Sequence, residues 1–222
     1  MKVDYLINDF RFSDNNIIVA SSTGVIDFPK YKNITKRDWA ERNGYIVDTD
    51  MLRLDARTIK LDCTVYANKL DDFMSILRKL YSQFNGLETL KIEFIGTGIE
   101  LLFSVYLDGG ITVTKEWREA DMYGKFSMKL VESEPQKKIY IVPAEPLREV
   151  KYTFTYISTS PFSVYSCGMK QKMYAPADEK EGEITITLRG NEYGNDYLII
   201  AGNIDDITDL KMPNSKLIWD RI

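Results

Sequence analysis

The sequence predicts a mainly antiparallel β protein with one flanking helix, an α+β chain built as a β-sandwich or barrel with a small β-rich appendage at its C-terminal end. Three observations predict it. Several segments alternate apolar and polar residues with period two. One segment repeats its apolar residues at spacings of three and four. Each alternating strand keeps one polar face, as antiparallel strands do when only one side of a sheet is buried.

The elements come in order along the chain. Val3, Tyr5 and Ile7 open it in alternation, and Ile17-Ile18-Val19-Ala20 is a short strand bounded by Asn15-Asn16 and Ser21-Ser22. Gly24 and Pro29 punctuate the next stretch. Residues 29–50 show no period and mix both charge signs, so they are expected to form a long arm. Trp39 and Tyr45 lie within it. Aromatic residues there either pack down on the domain's own core, the commoner outcome, or stand out as anchors for a partner.

Ile59, Leu61, Cys63 and Val65 then alternate strictly, placing four apolar side chains on one face of a strand. Leu52, Leu54 and Ala56 alternate in the opposite phase, which predicts a bulge or break near Arg57-Thr58. A helix is predicted over about 69–85. Leu70, Phe73, Ile76, Leu77, Leu80, Tyr81 and Phe84 form its apolar stripe, Asn68 suits the N-cap, and Asp71 and Asp72 favour the positive end of the macrodipole. Gly86 is the expected residue just past its C-terminus.

Strands return at Leu90, Ile92 and Phe94, at Leu101, Phe103, Val105 and Leu107, at Ile111 and Val113, and at Phe126, Met128 and Leu130. Glycines at 96, 98, 109 and 110 mark the reversals between them. Pro135, Pro143 and Pro146 interrupt the alternation, and a boundary is expected there, dividing the chain into 1–146 and 147–222. The C-terminal piece alternates at Tyr152, Phe154 and Tyr156 and again at Ile184, Ile186 and Leu188. Its small size puts it near the lower limit for independent folding, so it should lean on the first domain.

Composition narrows the chemistry. The 222 residues include no histidine, which removes Ser-His-Asp and Cys-His catalysis and imidazole-based zinc sites. Cys63 and Cys167 are too few for a disulfide framework and are expected as small core residues rather than a bridge. A net charge of −4 offers no dense basic stripe for nucleic acid. Lys137-Lys138 and the group Lys30, Lys32, Lys36 and Arg37 read as solvated surface. No apolar run reaches the ~18 residues of a membrane-spanning helix, and Lys2, Asp4, Asp9 and Arg11 interrupt the apolar start as no secretory signal would.

Acidic clusters remain. Asp108, Glu116, Glu119 and Asp121 gather in one turn region, where two facing carboxylates would be needed for glycoside hydrolysis. Solvated turn acids are the commoner case. Gly96-Thr97-Gly98 lacks the third glycine and following helix of a dinucleotide loop. Asp205, Asp206 and Asp209 do not match the spacing of a twelve-residue calcium loop. No catalytic, cofactor-binding or metal-ligating residue is therefore assigned, and no cofactor is expected. Trp117, Tyr123 and Trp219 would serve a β-sandwich module that stacks on sugars or another surface, the alternative reading, or else belong to the core.

From Arg57-Thr58-Ile59-Lys60-Leu61, through the helix from Leu70 to Phe84, to the strand ending Leu130-Val131-Glu132-Ser133-Glu134-Pro135, the chain resembles the N-terminal domain of phage distal tail proteins. That family places an arginine before an alternating strand, follows it with a leucine-rich amphipathic helix, and ends the last strand in an acidic residue and proline. Gly44 and the stretch before Arg57 sit where the family has a connecting arm. The resemblance covers about the first 145 residues and implies a tail-tube-like β-sandwich flanked by a helix. It also implies a structural, non-enzymatic subunit of a virion or prophage tail, assembled in the bacterial cytoplasm. Such a subunit forms a homohexameric ring between the tail tube and the host-recognition baseplate, and its partners are its own copies and other tail-tip proteins. Trp39 and Tyr45 would then lie in the subunit-interface arm. The chain departs from the pattern after Pro146, where many members carry a larger galectin-like domain.

The helix face gives a direct test. Phe73→Ala or Leu77→Ala should each cost about 2–5 kcal/mol of unfolding free energy if the stripe is buried. In urea titrations, a loss below ~1 kcal/mol would mean the face is misplaced.

Overall fold

A computed structural model describes residues 2–32, 34, 36–41, 43–47, 52–117 and 121–221. The N-terminal part runs β1 (Lys2–Ile7), β2 (Phe10–Arg11), β3 (Ile17–Thr23), β4 (Lys36–Asp38), β5 (Tyr45–Val47) and β6 (Arg57–Ala67). It continues with α1 (Leu70–Tyr81), β7 (Glu88–Ile95), β8 (Ile99–Leu107), β9 (Val113–Trp117) and β10 (Met122–Glu132). The C-terminal part holds β11 (Lys137–Pro143), β12 (Glu149–Ser158), β13 (Phe162–Ser166) and β14 (Gln171–Ala175). It ends with β15 (Asp178–Arg189), β16 (Asn195–Gly202), β17 (Ile207–Lys211) and β18 (Lys216–Arg221). The fold is the mainly antiparallel β architecture with one helix that the alternation predicts.

The first sheet has the order β2-β1-β7-β8-β10-β6-β3, with β9 also on β10. Among the described residues, its two halves join where Leu130 and Val131 of β10 meet Leu107 and Tyr106 of β8. Ile59, Leu61, Cys63, Val65 and Ala67 of β6 point into the core, as do Phe126, Met128 and Leu130 of β10. α1 lays Phe73, Ile76, Leu77 and Leu80 into that core, while Leu70 and Tyr81 stay exposed.

The helix ends differ from the expectation. Lys69, in an extended conformation, precedes the first turn without a side-chain cap, and Asn68 instead accepts a hydrogen bond from the Tyr66 hydroxyl. At the other end the chain turns at Ser82, and Gln83 and Phe84 back-bond to Leu80 and Tyr81. Gly86 lies beyond this turn, its N–H donating to Glu88 Oε1 at 2.9 Å. The helix is thus shorter than its apolar pattern, because Phe84 packs against the core from the turn rather than from another helical residue. The break near Arg57 is present: residues 52–56 form no strand apart from a bridge between Leu54 and Tyr31, and β6 begins at Arg57.

The C-terminal part has a core of its own. A five-stranded sheet, β14-β13-β16-β11-β18, faces a three-stranded sheet, β15-β12-β17, across Phe154, Phe162, Val164, Ile186, Leu188, Leu198 and Ile200. The strand Lys137–Pro143, which the expected boundary places with the first domain, pairs with β16 and β18 in this second unit.

The expected arm is a two-stranded ribbon. Lys32 and Asp55 bond to Arg53 and Lys30 near its root, and further out Lys36, Arg37 and Asp38 pair with Val47, Ile46 and Tyr45. It leaves β3 through Gly24, whose φ is +82° and whose missing Cβ would lie 1.9 Å from the Thr58 carbonyl oxygen. Only glycine fits both the left-handed conformation and that approach to β6. Gly24→Ala should therefore cost about 1–3 kcal/mol through clash and strain. A urea midpoint unchanged from the parent protein would contradict this close approach.

Candidate interaction surfaces

Strict alternation along β6 puts Arg57 on the inward face, in phase with Ile59 and Leu61. The β6–β10 register sets Glu132 directly opposite it. Lys137, the first residue of β11, closes the group from the second unit. Arg57 is 5% exposed, Glu132 1% and Lys137 2%. Lys137 Nζ bonds Glu132 Oε1, Arg57 Nε lies 3.5 Å from Glu132 Oε2, and Arg57 Nη1 donates to the Val25 carbonyl at 3.2 Å. Both cations also face the Phe103 ring, Lys137 Nζ at 4.2 Å and the Arg57 guanidinium carbon at 5.6 Å from its centroid. Burial pushes the Glu132 carboxyl up and the Lys137 ammonium down from their ordinary values, against the pull of their mutual attraction. Arg57 Nε and Nη2 and Glu132 Oε2 are buried without a hydrogen-bond partner.

A cleft of ≈160 Å³ opens over this group. Its walls are apolar, from Val25, Ile26, Leu101 and Trp219, and Arg57, Phe103 and Lys137 line it as well. Beside it the two units meet along an apolar seam in which Leu102 packs with Ile139, Tyr165, Ile199 and Ala201. Tyr165 reaches across to donate to the Leu87 carbonyl at 3.2 Å, and Tyr197 donates to Glu100 at 3.1 Å. The second unit leans on β7 and β8 of the first.

The arm is the other surface. Trp39 is 57% and Tyr45 56% exposed, so neither packs on the protein's own core. Ile26, Phe28, Tyr31 and Ile46 along the same segment are also exposed. Phe28 and Tyr31 touch at 5.7 Å between ring centroids, and Lys36 caps the Tyr45 ring at 4.7 Å.

The other sequence candidates disperse. Asp108 pairs with Lys129 at 2.5 Å and Glu116 with Lys125 at 2.8 Å, while Asp121 accepts from the Tyr66 hydroxyl at 3.3 Å. Glu119 lies outside the described residues. Gly96 and Gly98 both have positive φ in the tight β7–β8 reversal. Asp206 accepts from Asn203, Asp205 from Gln136 at 3.3 Å, and Asp209 pairs with Lys211 at 3.4 Å. Among the described residues, no three Cys, Asp or Glu side chains gather as a metal site would require. Cys63 and Cys167 are free thiols, and burial pushes the Cys63 thiol up to about 12.

Trp117 packs edge-on to Phe73 at 6.3 Å under Lys115, Tyr123 lies 5.0 Å from Tyr66, and Trp219 lines the cleft. Lys137 corrects an expectation: it reads as solvated surface beside Lys138, yet it is enclosed because Glu132 and Phe103 receive its charge inside the seam. The signal for it was Arg57, a cation in phase with the apolar face.

No protein-family model matches the chain, and no curated protein matches it in sequence. Among solved structures, the chain is similar to the Dit protein of phage SPP1, described as a paradigm of the hub adsorption apparatus of phages infecting Gram-positive bacteria. That similarity spans 97% of this chain and 96% of the other, at 12% identity and a TM-score of 0.47. The chain is also similar to the baseplate of phage P2 in its activated conformation, with Ca or with Sr. There it spans 100% of this chain and 96% of the other, at 9% and 8% identity and a TM-score of 0.44 in both.

The buried charges make an asymmetric prediction. Glu132→Gln leaves two cations without their carboxylate and should cost about 3–5 kcal/mol. Lys137→Met keeps the Arg57–Glu132 pair and should cost less. Urea unfolding of the two variants decides it, and equal losses would contradict the assignment of Glu132 as the shared anion.

Proposed function

We propose that this chain is a non-enzymatic structural subunit of a phage or prophage tail tip, of the distal tail kind, which works by fitting against other protein surfaces. In this reading it forms a homohexameric ring between the tail tube and the host-recognition baseplate, after assembly in the host cytoplasm. The observation that carries the proposal is the arm. A ribbon that exposes Phe28, Tyr31, Trp39, Tyr45 and Ile46 presents more apolar surface than a solitary soluble domain has reason to keep. Trp and Tyr are also the residues that anchor protein interfaces most strongly.

The form of the surface favours a ring. An arm on one side of the subunit that lands on a different surface of its neighbour is a heterologous contact, which closes into a ring when the rotation allows. The edge strand β3 adds a second contact of this type, with Ile18 exposed along it. The sequence resemblance between Arg57 and Pro135 supports the same reading.

The test is assembly. The purified protein, alone or mixed with its tail-tube and tail-tip neighbours, should give six-fold rings by negative-stain microscopy. The double variant Trp39→Ala/Tyr45→Ala should lose about 2 kcal/mol or more per contact and remain monomeric in light scattering, with the circular dichroism of the parent. Monomers from the parent protein in every mixture would overturn the proposal.

A further inference from the structure

We infer that the apolar cleft between the two units is the socket for Trp39 from the arm of a second copy of this chain, so that each arm tip plugs the cleft at the root of the next arm. This contact rests on the reading above of a ring subunit joined by its arm, and it names where the arm lands. The accessible walls decide what the cleft can take. Ile26 is 87% exposed, and Val25, Leu101 and Trp219 are half-buried. Arg57 and Lys137 also line the cleft but are buried, and the unpartnered nitrogens of Arg57 have no exposed surface. An occupant therefore meets apolar side chains, which gain by leaving water.

The same chain carries a group that fits. Trp39, the first residue past β4, is 57% exposed. The cleft measures ≈160 Å³, and a cavity of roughly 150 Å³ holds a benzene ring. The six-membered ring of the indole fills that space, and its N–H stays at the open mouth, where water can accept from it. Tyr45 suits the cleft less well, because Lys36 sits over its ring at 4.7 Å and would lose water on entering. Aromatic anchors seated in apolar pockets are where interfaces concentrate their binding energy.

The surface beside the cleft continues the contact. Val25 and Ile26 pass directly into the arm, where Phe28 and Tyr31 are exposed with their rings 5.7 Å apart. One apolar track thus runs from the cleft mouth along the arm root, and an incoming arm laid along it covers both. The molecule does not close its own cleft. Root bonds from Lys32 to Arg53 and from Asp55 to Lys30, with the β4–β5 pairs beyond them, hold the two limbs side by side and leave Trp39 and Ile26 exposed. An extended limb from Lys30 to Trp39 spans at most about 30 Å, and a chain of this size has a radius of gyration of about 17 Å, so the tip can reach a neighbour. Tip to root is a contact between two different surfaces, which repeats head to tail and can close into a ring.

Cross-linking of two full-length variants tests the contact. One carries Ala40→Cys beside Trp39 and the other Ile26→Cys at the cleft rim, both at exposed positions. Mixed and treated with a short bis-maleimide, they should give cross-linked dimers well above either variant alone and above the parent, whose Cys63 and Cys167 set the background. The linker captures brief encounters, so stable rings are not required. Adding Trp39→Ala to the Ala40→Cys copy should keep the parent's circular dichroism and cut the yield at least about tenfold, the loss of a truncated anchor. Mixed dimers no more abundant than in the single-variant controls, or a yield that Trp39→Ala leaves unchanged, would overturn the inference. Rings in those same samples would leave the ring reading standing, whereas monomers throughout would remove both.

Discussion

The enclosure of Arg57, Glu132 and Lys137 between the two β units is the constraint on which the rest of the structure depends. Charges cost several kcal/mol each to withdraw from water, and they repay it only when fixed against one another. Here the fixing is done by two separate elements of order. The β6–β10 register places Arg57 opposite Glu132, and the short link through Pro135 delivers Lys137 from the next strand. Phe103, with a ring face turned to both cations, replaces part of the lost hydration. The group therefore acts as a specificity device: the two units satisfy these charges in one relative placement, and the apolar seam around Leu102 and Tyr165 fills in beside it.

Much of the first unit was legible in the sequence because its physics is local. Period-two alternation from Ile59 to Val65 and the three-four spacing from Phe73 to Leu80 each report one buried face, and those faces meet in one core. What the alternation does not report is a residue that breaks it for a distant reason. Leu102 lies out of phase on β8 and is buried by the second unit, and Arg57 lies in phase on β6 although it is charged. Both have their explanation in contacts tens of residues away. The helix ends also depart from the pattern: Asn68 has the chemistry of a cap but accepts from the Tyr66 hydroxyl, and the chain leaves the helix at Ser82, well before Gly86.

Of the candidate surfaces, Trp39 and Tyr45 were visible as aromatics in an unpatterned segment, though not their exposure. The ribbon that carries them is held by cross-strand pairs rather than by a packed face, so no hydrophobic period marks it. The cleft was invisible because its walls come from the arm root, β8 and β18. Val25 and Ile26 lead into the arm and also shape the cleft mouth.

Hydrogen exchange of the full chain at increasing denaturant measures the central claim most directly, by tracking amides of β6 and of β11 together. If the buried charges weld the two units into one cooperative body, both strands lose protection at the same denaturant concentration and with the same free energy. Separate transitions, with β11 opening while β6 stays protected, would show that the units fold independently and that the charged seam does not hold them together.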